Sequence, residues 1–64
     1  MLPPDALQKL KQAVSNYDAQ IDNIEGEISR AQRAGIDVTS LQSRLVDLKE
    51  TVRKLKLQYP EVTS

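Results

Sequence analysis

From Leu7 to Tyr59 apolar residues recur at alternating steps of three and four, and the repeat breaks once. Leu7, Leu10, Val14, Tyr17, Ile21, Ile24, Ile28 and Ala31 precede the break; Val38, Leu41, Leu45, Leu48, Val52, Leu55 and Tyr59 follow it. This spacing puts the apolar residues on one stripe of an α-helix, as the a and d positions of a coiled-coil seam. A strand needs alternation every second residue, which is absent. Two folds remain: one long helix paired in parallel with a copy of itself, or two helices folded back on each other.

The break selects the second. Gly35 stands where a helix C-terminus favours a left-handed residue, a conformation glycine adopts without a side-chain clash. Arg30 and Arg33 precede it, where cations suit the helix dipole. Asp37 is expected to cap the second helix by accepting amide protons from the residues two and three further on. Ile36 and Leu41 have the spacing of a hydrophobic staple around that cap, and Leu2 and Leu7 repeat the spacing around Pro4 at the first helical position. The prolines, Pro3, Pro4 and Pro60, all lie near the ends. These signals predict a single all-α domain over 1–64: helix 4–34, turn 35–37, helix 38–59 and a short C-terminal tail 60–64. The turn residues are Gly35, Ile36 and Asp37.

Charge tests the orientation independently. In an antiparallel pair the two e flanks face each other, as do the two g flanks. Folding about residues 36 and 37 sets Asp18 opposite Lys56 and Glu25 opposite Lys49 on the e side. It sets Glu27 opposite Arg44 on the g side. All three pairs are of opposite sign, and such flanking pairs choose orientation more than they stabilise.

The composition excludes several function classes. Nine basic residues balance nine acidic ones, so no net field draws the chain to nucleic acid or anionic lipid. Cysteine and histidine are absent, which removes disulfides and the commonest nucleophiles and bases. No apolar run reaches the roughly 20 residues of a membrane span, and "MLPPDALQKL" lacks the apolar stretch of a signal peptide. A cytoplasmic or otherwise intracellular protein is expected, with no membrane, cofactor or small-molecule substrate. Asp18, Asp22 and Glu25 cluster on the first helix, but a solvated acidic face explains them better than a magnesium site, whose ligands usually come from loops. Tyr17 and Tyr59 occupy the seam, and a two-helix rod offers no pocket of ligand size in which to activate them. The chain is not expected to be an enzyme.

What remains is surface. The first helix is longer, so Leu7 and Leu10 have less cover. The g flank is small and mostly neutral, with Ala6, Ala13, Gln20, Thr51 and Gln58, and a flank of that kind suits a second hairpin. Two stacked hairpins form a four-helix bundle, burying a seam that a lone pair leaves open. Val46 and Leu57 on the outer face of the second helix offer a secondary apolar patch. Within "LKETVRKLKL", Lys49 and Lys56 face acids, Glu50 and Lys54 form an i,i+4 pair, and Arg53 is left over. The layout resembles that of the Rop family of plasmid RNA-binding proteins, which are dimers of helical hairpins. The resemblance is of layout alone, with no shared motif. The expected function is protein–protein interaction or oligomerisation. The partners are the chain itself, as a homodimer, or a helical protein. The competing reading is a nucleic-acid-binding hairpin dimer with Lys9, Arg53 and Lys54 on phosphates.

Overall fold

A computed structural model describes residues Leu2–Thr63; Met1 and Ser64, the outermost residues of the expected domain and tail, lie outside the described residues. Two α-helices, α1 (Pro4–Arg33) and α2 (Thr39–Gln58), are followed by a 3-10 turn, η1 (Pro60–Thr63). The helices form a hairpin: α2 returns along α1 and η1 packs on both. All regular structure among the described residues is helical.

The start of α1 follows from its prolines. Pro3 is the N-cap and Pro4 the first helical residue, where a missing N–H costs nothing. The Leu7 amide donates to the Pro3 carbonyl at 3.0 Å. Leu2 precedes the cap and is half-buried, as is Leu7, the fourth helical residue, so the register of an N-terminal staple is present. Asp5 lies in the first turn and Arg30 and Arg33 in the last, each favoured by the helix dipole.

The reversal is built by Gly35. Its φ is +74°. The Gly35 amide donates to the Gln32 carbonyl at 3.1 Å and the Ile36 amide to the Ala31 carbonyl at 2.9 Å. This pair of bonds is the Schellman arrangement, which satisfies carbonyls that the helix end would otherwise orphan. A Cβ built on Gly35 meets nothing within 4 Å, so the demand for glycine comes from backbone conformation alone.

The second cap differs from the sequence reading by one position. Val38, not Asp37, is the N-cap of α2, and α2 begins at Thr39. The Asp37 carboxylate accepts from the Thr39 amide at 3.0 Å and from the Thr39 hydroxyl at 2.6 Å. The acid therefore takes one helix amide, two residues on, and a hydroxyl in place of the amide three residues on. These two bonds hold the Asp37 carboxyl below its ordinary value. Ile36 is 62% exposed and does not form the expected buried staple with Leu41, because the cap has moved out of register with it.

Every a and d residue of the repeat is buried or half-buried. The innermost are Val14, Ile24 and Val52, at 8%, 7% and 7% exposure, and no described side chain is fully enclosed. A single stripe shared by two helices has solvent on both sides, so it hides each residue only in part. The result is a rod 48 Å long and 15 Å across. Its radius of gyration is 14.5 Å, against about 11 Å for a compact domain of this length.

The overhang of α1 is shorter than the helix lengths imply. α1 has 30 residues and α2 has 20, a difference of about 15 Å at 1.5 Å per residue. Four 3-10 residues recover about 8 Å of it. Pro60 ends α2 but does not release a free tail: the Val62 amide donates to the Tyr59 carbonyl at 3.0 Å, and Glu61 and Val62 are half-buried. Leu7 and Leu10 are also half-buried.

Gly35→Val is expected to destabilise the hairpin by about 1 kcal/mol or more, with Gly35→Asn in between, because asparagine tolerates the left-handed region better than a β-branched residue. Thermal unfolding of the three proteins gives the order directly. Asp37 gives a pH dependence with a defined sign. Its folded-state pKa is lowered, so its contribution is present above the unfolded value, near 4, and is lost as pH falls through the folded one. The stability gap between the parent and Asp37→Ala, measured by urea titration, is expected to be constant above about pH 5 and to close as pH falls below about 4.

Candidate functional site

The two flanks of the seam differ. On the e flank the Lys49 ammonium lies 3.9 Å from the Glu25 carboxylate. The midpoint of these two positions is residue 37, inside the reversal, so the pair reports the same register as the turn. Both side chains are half exposed, and a pair of that kind contributes a few tenths of a kcal/mol. The other expected pairs, Asp18 with Lys56 and Glu27 with Arg44, do not reach ion-pair distance. The e flank is nevertheless bridged.

The g flank is open. A shallow groove runs between the helices there, lined by Gln20, Asn23, Ile24, Glu27, Leu41 and Arg44. Ile24 and Leu41 are seam residues, so the groove reaches the side of the apolar core. Glu27 and Arg44 stand on opposite walls, one from each helix. Sequence reasoning paired them across the seam and so missed the groove. Its signal was present: the g residues Gln20, Glu27 and Arg44 and the c residue Asn23 surround two d residues.

The other g-flank residues divide. Ala6 and Ala13 are half-buried, whereas Gln20, Thr51 and Gln58 are exposed. The Thr51 hydroxyl donates to the Asp47 carbonyl at 2.9 Å, which satisfies it within its own helix. Toward the N-terminal end, Leu7 lines an open depression with Pro4, Gln8, Lys11, Gln12 and Ser15, so the apolar end of the seam reaches solvent on that side.

The outer face of α2 carries Val46 and Leu57, at 65% and 64% exposure. Between them Arg53 and Glu50 form a two-bonded ion pair, with Arg53 Nε donating to Glu50 Oε2 at 3.1 Å and Arg53 Nη2 to Glu50 Oε1. This corrects the sequence reading, which joined Glu50 to Lys54 and left Arg53 without a partner. The guanidinium reaches back three residues and forks on the carboxylate, a geometry that a lysine ammonium cannot match. Hydrogen bonding to Arg53 lowers the Glu50 pKa, and Glu50 raises that of Arg53. Of the residues considered for phosphate contact, Lys9 and Lys54 are exposed and Arg53 is engaged by Glu50.

Among the described residues no three acidic side chains come together as a metal site, and no helix is long and apolar enough to cross a membrane. No family model, curated protein or solved structure matches the chain.

The e-flank contact is testable by a charge-swap cycle. Glu25→Lys and Lys49→Glu singly are each expected to cost a few tenths of a kcal/mol, and the double swap to recover part of the loss. Chemical denaturation of the four proteins supplies the coupling energy; strict additivity would place the two residues apart.

Proposed function

We propose that this chain is a non-enzymatic interaction module, an antiparallel coiled-coil hairpin that dimerises through its g flank into a four-helix bundle. The observation that carries the reading is the exposed area. A folded monomer of 7.2 kDa exposes about 4100 Å². The hairpin exposes 4895 Å², about 800 Å² more. That excess goes with the rod shape, and it is about as large as the area one partner contributes to an interface of standard size. A seam with three buried side chains is also a small core with which to offset the entropy of ordering two helices.

The g flank is favoured over the e flank on two grounds. The groove gives a second hairpin access to the side of the core, and the small residues Ala6 and Ala13 extend the same flank toward the N-terminal end. In this reading the chain acts as an oligomerisation or adaptor element, and a helical segment of another protein is the alternative occupant. A cytoplasmic or otherwise intracellular setting goes with this reading and rests on the sequence alone. The competing function, phosphate contact through Lys9, Arg53 and Lys54, has less support because Glu50 already holds Arg53.

Ala13→Glu tests the flank. A glutamate there adds volume and a charge to a close helix–helix contact, and overpacking of that kind costs about 1 to 3 kcal/mol. The variant is expected to shift toward monomer and to lose helicity on dilution, whereas Gln12→Glu, at an exposed outward position, leaves both unchanged. Light scattering with circular dichroism reads the two effects. An Ala13 variant that associates like the parent would remove the g flank from consideration. Binding to a DNA duplex that weakens steeply with salt would favour the nucleic-acid reading.

A further inference from the structure

The groove between Gln20, Asn23 and Glu27 on α1 and Leu41 and Arg44 on α2 has a charge arrangement that the lone hairpin leaves unused. Glu27 and Arg44 lie on its two walls, yet they form neither an ion pair nor a hydrogen bond with each other. The other interhelical pair the sequence singles out nearest the turn, Glu25 with Lys49, does close. An acid and a base held apart across an apolar floor form a surface complementary to itself. Rotated by a twofold axis, the acid of one copy meets the base of the other, and the reverse holds at the same time. Like charges would meet in neither place.

We propose that the occupant of this groove is a second copy of the chain, seated so that Glu27 of each copy pairs with Arg44 of the other. This rests on the self-association proposed above and adds its register. Both residues belong to g positions, which in helical bundles set partner choice and orientation. The surface left over is large enough for such a contact, being about one partner's share of a dimer interface. With the twofold along the rods, α1 of each copy lies beside α2 of the other. The two charge pairs then flank Ile24 and Leu41, and water is excluded from the floor.

Charge reversal distinguishes pairing between copies from pairing within one. Glu27→Arg alone puts only cations at the four positions of a dimer, and Arg44→Glu alone puts only anions there. Each variant alone is expected to dimerise about tenfold more weakly than the parent, from two lost attractions and two new repulsions. An equimolar mixture of the two restores opposite charges at both places, but only across copies. The mixture is expected to regain parental dimerisation as a heterodimer, detected by native mass spectrometry with one variant isotopically labelled, and to lose that preference in high salt. A statistical or absent heterodimer in the mixture overturns the proposed pairing. If the parent dimerises while the mixture shows no preference, self-association stands and the register fails. If the parent itself is monomeric at every concentration, both fail together.

Discussion

A single apolar stripe, one residue wide and shared by two helices, is the interaction on which everything else in this molecule depends. A stripe can be covered on one side only by the helix it faces, so burial is partial along most of its length. Val14, Ile24 and Val52 are well hidden and the remaining a and d residues are half-covered. The geometry of the apolar repeat thus sets both the shape, a thin rod, and the incompleteness of the core. Longer helices would lengthen the seam without thickening it. Only another layer can do that.

The turn makes this seam intramolecular. Two backbone bonds close on Ala31 and Gln32 because Gly35 takes a positive φ, and Asp37 then holds the first residue of α2. The Glu25–Lys49 contact further along shows the same register. These devices are individually weak, and they agree. Agreement of that kind narrows the alternatives available to a short chain more effectively than one strong contact would. At the opposite end η1 extends the cover given by α2, so the longer helix is less bare than its length suggests.

The legible part of the fold was the part governed by local rules. The apolar repeat, the glycine stop and the terminal prolines place both helices and the reversal. What the sequence did not disclose depends on side-chain reach. The cap of α2 sits on Val38 rather than Asp37 because the Thr39 hydroxyl offers the carboxylate a second donor. Arg53 takes Glu50 because a guanidinium can fork at a distance of three residues where the i,i+4 rule points to Lys54. The sequence reading gives residues 60–64 only as a short tail, since nothing in "PEVTS" announces a 3-10 turn. The groove was hidden by the assumption that facing charges close. Glu27 and Arg44 have the right signs and positions, but they stand on opposite walls.

A thin core, an open flank and an exposed area larger than that of a compact monomer are the observations behind the proposed second layer. In the proposed assembly, folding and association are one process. The most direct test is the thermal unfolding midpoint of the unmodified protein across about a thousandfold range of concentration, followed by far-ultraviolet circular dichroism. A dimer stabilised by mass action has a midpoint that rises steadily with concentration. A midpoint that stays constant over the whole range, with helicity fully retained at the lowest concentration, would show that the lone hairpin is sufficient and would contradict the account.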